Sequence, residues 1–170
     1  NMELAVKDSD WEGFADRAKI SEKNNKIRGI GLSTYIEACS GGGPEEATII
    51  IEKNGNIILH IGTQSNGQGH ETAYKQILCE YLGIGPDKMT VIQGDSDVVA
   101  FGAGTGGSRS VPVGGAAIKV ASENIISKVK SLAALKLNVD ESTLIYKEGI
   151  FFAEGTNLSI SIEDIANEND

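Results

Sequence analysis

The 170-residue sequence is poor in the residues that build disulfide frameworks, metal centres and nucleic-acid surfaces. It contains two cysteines and two histidines, and Cys39 and Cys79 form no CxxC pair, which disfavours a disulfide scaffold and a metal site made by this chain alone. Fifteen basic against 24 acidic residues give a net charge of -9, which opposes nonspecific binding to nucleic acid or anionic membranes. No apolar run approaches the roughly 20 residues of a membrane span, and Asn1 to Asp10 lack a signal-peptide pattern. We therefore expect a soluble, cytoplasmic protein without a nucleic-acid partner.

Glycine, in contrast, is abundant and concentrated. The chain has 21 glycines, and twelve of them lie between Gly62 and Gly115, although glycine normally makes up only about 7% of a protein. The excess therefore requires a local explanation.

The first part of the chain predicts one helix and one strand. A capping box of Ser9 and Glu12 precedes apolar residues at helical spacing from Trp11, and the polar stretch 21–26 ends this helix. From Ile30 to Ala38, apolar residues alternate with small or polar ones, which is typical of a strand with one buried face.

The middle of the chain predicts a hairpin, a helix and a further strand. Residues 47–52 and 57–63 are rich in isoleucine and flank Asn54-Gly55, a pair suited to the positive backbone angles of a tight turn. Apolar residues from Tyr74 to Leu82 then follow helical spacing, with Gly83 as the expected cap, and a strand covers 88–93.

After a long glycine-rich loop over 95–115, the pattern predicts a second main helix around residues 118–132. A hairpin around Gly149 and a terminal helix capped by Ser161 and Asp164 complete the chain. We therefore predict one α+β domain over residues 1–170, with a mixed sheet, hairpins and two main helices, and with residues 1–26 as a peripheral helix and linker.

Two glycine-rich segments, 67–72 and 102–110, each lead toward a helix. Glycines let a ligand approach the backbone, and free amides at a helix start attract negative charge or carbonyl groups. The Gln68 amide, several hydroxyls and the Arg109 cation, which suits phosphate, add polar groups. The two segments together favour one polar, partly anionic ligand, although each alone could be a simple turn.

Other interpretations of these residues are weaker. A formal GxGxxG occurs at 102–107, but Pro112 delays the following helix and the chain is hairpin-rich rather than βαβ in pattern, which disfavours a dinucleotide fold. Asp95 and Asp97 could bind a hard cation, but a polar turn is favoured. His70 and Glu71 could be a base and its partner, although adjacent helix positions point apart. No complete catalytic constellation emerges.

The ordered segments 62–72, 93–97 and 104–110 resemble the large, molybdenum-binding subunit of the xanthine dehydrogenase and aldehyde oxidase family. Within that family, these motifs resemble most those of aerobic carbon monoxide dehydrogenase-like large subunits. Residues 28–31 and 41–45 agree in order and spacing, so that the resemblance covers the chain from about Trp11.

The resemblance implies a role in holding a molybdopterin cofactor, often carried in bacteria as a cytosine dinucleotide. It implies that Gln68 and its glycine neighbours contact the pterin and the molybdenum ligands, and that 105–110 contact the phosphate-bearing part. No catalytic residue and no protein ligand to a metal is predicted. The implied cofactor-binding residues are Gly67, Gln68, Gly69, His70, Glu71, Thr105, Gly106, Gly107, Ser108, Arg109 and Ser110.

The family's large subunit is several times longer, and this chain lacks counterparts of its substrate-side loop and its later glutamate base. Iron-sulfur and FAD subunits or domains, together with the rest of the large subunit, are the implied partners. We thus expect a segment of an oxidoreductase that transfers oxygen from water to an aldehyde, a heterocycle or carbon monoxide. The isolated segment should be inactive and free of cofactor. The alternative is a noncatalytic nucleotide- or phosphate-binding domain.

Overall fold

A computed structural model describes residues 1–36, 38 and 42–168. The chain divides into two compact units, Asn1–Glu37 and Ala38–Asp170. The predicted positions of Glu37, Cys39 and Gly41 lie outside the described residues. In the described part, no helix is both long and apolar enough to cross a membrane.

The first unit contains two helices where the sequence predicted one. Helix α1 spans Met2–Asp8 and helix α2 spans Phe14–Lys23. The predicted capping box is wrong, because Ser9 ends α1 and its Oγ donates a hydrogen bond to the Val6 carbonyl at 3.0 Å. The helical path is interrupted at Asp10, which has a φ of 47°. Its carboxylate pairs with Arg17.

The predicted strand over 30–38 is also absent from the described residues of that region. Within it, the side chains of Leu32, Tyr35 and Ile36 are 50%, 85% and 95% exposed. The alternating pattern is real, but no described segment pairs with it, and a strand needs a hydrogen-bonded neighbour.

The second unit begins with a three-stranded mixed sheet in the order β1-β2-β3. Strand β1 (Ala47–Ile51) is antiparallel to β2 (Ile57–Ile61), and β2 is parallel to β3 (Met89–Gln93). The predicted hairpin is confirmed: Gly55 has a φ of 78°, and Asn54 Oδ1 accepts a hydrogen bond from the Asn56 amide.

Helix α3 (His70–Leu82) connects β2 to β3 and ends at Gly83, which has the predicted left-handed conformation with a φ of 61°. One βαβ unit is therefore present, whereas the pattern was expected to be hairpin-rich rather than βαβ. A short 3₁₀ turn at Pro86–Lys88 leads into β3. Alternate residues of β2 are fully buried against α3 and the next long helix, in a core of Ile57, Leu59, Ile61, Tyr74, Leu78, Leu82, Met89 and Ile118.

The second main helix, α4, spans Gly115–Leu137 and is preceded by a π-helical turn at Ser110–Gly114. The loop thus ends at Arg109, six residues earlier than predicted, because Pro112 lies inside the π-helical turn and α4 already begins at Gly115. α4 contacts α3 and β1, and its later part packs on a second sheet.

The second sheet is antiparallel, in the order β4-β5-β6. It consists of β4 (Leu144–Lys147), β5 (Ile150–Ala153) and β6 (Ser159–Ser161), and a 3₁₀ turn at Glu141–Thr143 precedes it. Helix α5 (Ile162–Glu168) follows directly. The predicted cap is confirmed by the Asp164 amide, which donates to Ser161 Oγ at 3.0 Å. Strand β6 was not predicted, and the α+β class is confirmed.

Candidate functional site

The site is organised around a close crossing of two backbone segments. We call residues 62–69 the first loop and residues 102–110 the second loop. A Cβ atom on Gly62 would lie 2.2 Å from the Gly102 Cα, and a Cβ on Gly102 would lie 2.4 Å from the Gly62 Cα. Any larger residue at either position would have to displace backbone, so both positions require glycine. The crossing fixes the start of one loop against the other.

Hydroxyl groups hold the loops together beyond the crossing. Thr105 Oγ1 donates a hydrogen bond to the Gln64 carbonyl at 2.5 Å and lies 3.0 Å from Ser110 Oγ. The two glycine-rich segments singled out in the sequence therefore lie together in the structure.

A buried hydroxyl network connects both loops to α3. The Tyr74 phenol lies 2.6 Å from Thr63 Oγ1 and donates to the Ser110 carbonyl at 3.2 Å. Both Thr63 and Tyr74 are fully buried. Burial raises the pKa of Tyr74 above its usual value of 10.0, so the phenol remains a neutral donor at neutral pH. The loops are thus fastened to the core by hydrogen bonds whose groups have no competing water.

Arg109 makes the most extensive contacts in the second loop. Its Nη1 donates to Glu45 Oε2 at 2.7 Å and to the Gly104 carbonyl at 2.8 Å. Its Nη2 donates to the carbonyls of Pro44 at 2.7 Å and Gly43 at 3.5 Å. The Glu45 side chain is 0% exposed and that of Arg109 only 6%. The guanidinium therefore joins residues 42–45, which we call the Glu45 segment, to the second loop.

This arrangement corrects the sequence-based role of the Arg109 side chain. The guanidinium neutralises an internal carboxylate and is not exposed as a free cation for phosphate. Sequence reasoning also missed Glu45 as a site residue, because its partner lies 64 positions away. The only signal for it was its place in the segment 41–45 that carried the resemblance.

The first loop ends at an uncapped helix start. Gly69, the N-cap of α3, has a φ of 75° and makes no side-chain capping bond. The first-turn amides of α3 therefore point outward at the positive end of the helix dipole. A Cβ atom on Gly67 or Gly69 would meet no atom within 4 Å, so the backbone here borders open space.

Gln68 folds its side chain over its own loop. Its Oε1 accepts hydrogen bonds from Ser65 Oγ at 3.3 Å and from the Asn66 amide. Gln68 is exposed, and its side-chain nitrogen makes no hydrogen bond to any described residue. That NH₂ group remains available to a ligand.

His70 and Glu71 occupy different environments. His70 is buried, and its ring centroid lies 5.5 Å from that of Tyr74. Glu71 is exposed and pairs with Lys75 Nζ at 2.9 Å. The structure does not bring the two side chains together as a base and its partner.

The remaining second-loop residues present backbone more than side chains. A Cβ atom on Gly106 would meet no atom within 4 Å. Gly107 and Ser108 both have left-handed φ values, 53° and 54°. Positive φ is uncommon at serine, which marks Ser108 as a constrained position. Like Gly67 and Gly69, Gly106 leaves room for close approach of a ligand to the chain.

Some buried polar atoms in and beside these loops have no hydrogen-bond partner. Among the described residues, four buried side-chain atoms lack a hydrogen-bond partner: His70 Nδ1, Gln93 Oε1, Arg109 Nε and Ser122 Oγ. His70 and Arg109 belong to the predicted site. Gln93, the last residue of β3, pairs with Ile61, which directly precedes the first loop. Buried polar groups are normally bonded, and each exception calls for an explanation such as an absent ligand or water.

No group of three or more histidine, cysteine or acidic side chains that could hold a metal occurs within the described residues. Asp95 forms a polar turn, in which its carboxylate accepts from the Asp97 amide at 2.9 Å. Cys79 is a free, half-buried thiol on α3, and burial raises its pKa.

Comparisons with known proteins find similarity along nearly the whole chain. The family model described as "Molybdopterin cofactor-binding domain" matches residues 4–170. The chain is 38% identical over 145 residues to the carbon monoxide dehydrogenase large chain of Afipia carboxidovorans, covering 78% of this chain and 18% of that protein. It is 34% identical over 169 residues to the corresponding large chain of Hydrogenophaga pseudoflava, covering 92% and 21%.

The fold agrees as well. Reconstituted CO dehydrogenase from Oligotropha carboxidovorans superimposes with a TM-score of 0.73 at 32% identity, over 97% of this chain and 23% of that chain. The chain therefore spans about a fifth of the length of the relatives that it matches.

Proposed function

This chain belongs to the molybdopterin cofactor-binding domain family, and from that premise we propose that its two glycine loops hold part of a molybdopterin cofactor. The observation that carries the proposal is the juxtaposition of the loops. Thr105 Oγ1 donates to the Gln64 carbonyl at 2.5 Å, and glycine backbone at Gly67, Gly69 and Gly106 borders open space. Such a cradle suits a bulky, polar, anionic group.

The residues present fit that group on two independent grounds. Three of the four unpartnered buried side-chain atoms among the described residues lie in or beside the loops. The uncapped start of α3 and the left-handed backbone at Gly107 and Ser108 favour anionic and carbonyl ligands. A net charge of -9 makes these local donors necessary, because the chain as a whole repels anions.

The proposed roles divide between the loops. Gln68 and the first-turn amides of α3 would bind the pterin side, and the backbone around Gly106 would bind the phosphate-bearing part. Arg109 and Ser110 would act by shaping the second loop, since their side chains are bonded within the chain. The residues proposed to bind the cofactor, either directly or by shaping the loops that contact it, are Gly67, Gln68, Gly69, His70, Glu71, Thr105, Gly106, Gly107, Ser108, Arg109 and Ser110.

The whole protein is proposed to be a molybdenum hydroxylase of the xanthine, aldehyde or carbon monoxide dehydrogenase type. When bound, the cofactor, proposed as the cytosine dinucleotide, supplies the redox chemistry by which oxygen from water reaches the substrate. The rest of the large subunit would supply the substrate pocket and the base, and iron-sulfur and FAD subunits would carry electrons away. The segment alone is expected to be inactive, and the holoenzyme is proposed to be cytoplasmic. No comparison supports the noncatalytic nucleotide- or phosphate-binding alternative.

Molybdenum analysis of the full-length protein tests the proposal. The wild-type protein should contain molybdenum and release a pterin on denaturation. Gln68→Ala should lower molybdenum content about tenfold or more, as loss of groups that orient a metal site commonly does. Gln76→Ala, on the exposed side of α3, is the control and should retain full content. A wild-type protein free of molybdenum and pterin would overturn the proposal.

A further inference from the structure

We propose that Glu45 and Arg109 form a positioning pair that sets the distance between the two glycine loops and thereby determines cofactor retention. This inference rests on the function proposed above and adds to it the way in which the chain builds its cradle before the cofactor arrives.

The pair lies where three segments meet. Glu45 Oε2 accepts the hydrogen bond from Arg109 Nη1 at 2.7 Å. Glu45 Oε1 lies at the crossing itself, 2.6 Å from where a Cβ atom on Gly62 would stand and 3.4 Å from one on Gly102. A single carboxylate of the Glu45 segment therefore contacts both the first loop and the second loop.

The guanidinium extends this contact with the geometry that only arginine provides. Four of its five N–H donors are used, two by Nη1 toward Glu45 Oε2 and the Gly104 carbonyl and two by Nη2 toward the carbonyls of Pro44 and Gly43. A lysine ammonium is a point charge and cannot reach the same acceptors in one plane. The fork thus holds both neighbouring segments at a fixed separation.

Stability alone does not account for a fully buried ion pair. Desolvation of both charges offsets most of their attraction, so that apolar residues of similar volume often serve stability equally well. The unpaired Arg109 Nε adds a further cost. A pair kept at this expense beside the Gly62–Gly102 crossing is better explained by the geometry that it imposes.

The positioning role and direct phosphate binding by Arg109 predict opposite results for Glu45→Gln. This substitution keeps the side-chain volume, removes the carboxylate charge and frees the guanidinium. If Arg109 bound phosphate directly, the variant would retain as much cofactor as the wild type, or more. If the pair positions the loops, the variant loses alignment and retains less.

The experiment uses the full-length holoprotein and measures molybdenum per polypeptide and the rate of molybdenum release at fixed temperature. Glu45→Gln and Arg109→Lys should each lower retention about tenfold. The double variant should be no worse than the single ones, because the residues act through each other. Lys119→Gln, which removes an exposed ion pair with Glu123 on α4, is the control and should change nothing.

Hydrogen exchange on cofactor-free protein separates positioning from general stability. We expect faster exchange in peptides covering 42–46, 62–69 and 102–110, with protection of β4 to β6 unchanged. If Glu45→Gln does not fold, the same two measurements on Arg109→Lys, which preserves the charge, test the inference. Unchanged molybdenum retention in a folded variant, or a uniform loss of protection, would overturn the inference. Absence of molybdenum from the wild type would instead overturn the proposed function.

Discussion

The glycine loops and the β4–β6 sheet are built in opposite ways, although both belong to the second unit. The sheet packs its inner face with apolar side chains, and Phe151 of β5 and Ile162 and Ile165 of the adjoining helix α5 are almost completely buried. The loops have little apolar material and are held by a backbone crossing, a hydroxyl network and a buried ion pair.

The difference extends to local satisfaction of hydrogen bonds. At the end of the second sheet, Ser161 and Asp164 cap α5 reciprocally, whereas α3 starts uncapped at Gly69. Sites that break local rules tend to be functional, because a ligand supplies what the chain omits. We therefore expect the sheet to contribute mainly to folding stability, and we propose that the loops contribute mainly to ligand binding.

The strongest test of this division is Phe151→Ala in the sheet. Removing a fully buried ring that packs 4.8 Å from the Tyr146 ring should lower the free energy of unfolding by about 3–5 kcal/mol. Urea unfolding measures it. The adjacent Phe152→Ala, at a side chain that is 42% exposed, is the matched control and should cost about 1 kcal/mol or less. The comparison fails if Phe151→Ala removes molybdenum from folded protein without lowering stability.

A second test exchanges single hydrogens for methyl groups within the loops. Gly62→Ala forces a Cβ to within 2.2 Å of the Gly102 Cα, and overpacking of this kind should cost about 1–3 kcal/mol or more. It should also lower molybdenum content, because the loops move apart.

Gly106→Ala sharpens the same test, since its Cβ would meet no protein atom within 4 Å. The free energy of unfolding should stay within about 0.5 kcal/mol of the wild type, while molybdenum content falls because the methyl group enters the space proposed for the cofactor. Equal molybdenum content in Gly106→Ala and wild type would show that this glycine does not border the ligand.

The predictable part of the molecule is the part whose information is local. Periodicity identified α3 from Tyr74 to Leu82, and turn and cap chemistry identified Gly83 and the Ser161 cap, because each depends on residues within one or two turns. In the first unit the predicted helix is present as α2, but its predicted start is wrong, because Ser9 ends a preceding helix and Asp10 has a left-handed φ of 47°.

The long-range features could not be derived in this way. Neither the Gly62–Gly102 crossing nor the Glu45–Arg109 pair leaves a periodic trace, because each joins single residues that are distant in sequence. The strand predicted from Ile30 shows the converse: alternation indicates a suitable surface but does not supply a partner. The resemblance pointed to two loops that the structure brings together, yet the internal role of the Arg109 side chain required coordinates.

The smallest expected effect concerns the link between the sheet and α3. Tyr146 donates a hydrogen bond to the Leu82 carbonyl at 2.6 Å, which satisfies a carbonyl in the last turn of that helix. Burial raises the pKa of Tyr146 from 10.0 to about 12. Between these values the unfolded chain is deprotonated while the folded chain keeps its proton, so stability should be fully present below pH 10 and decline as the pH rises toward 12.

Tyr146→Phe should lower the free energy of unfolding at pH 8 by about 1 kcal/mol through loss of that hydrogen bond. It should also flatten the decline above pH 10, although Tyr74, whose pKa is also raised, leaves some of it in place. Urea unfolding at pH 8, 10 and 11 measures both effects, with the exposed Tyr35→Phe as control. If the free energy of unfolding declined equally steeply above pH 10 in Tyr146→Phe and in the wild type, the Tyr146 phenol would not be the group that titrates. The proposed link between the sheet and α3 would then lose its support. Molybdenum content should not change, because this bond joins the β4–β6 sheet to the C-terminal end of α3 and does not involve either loop.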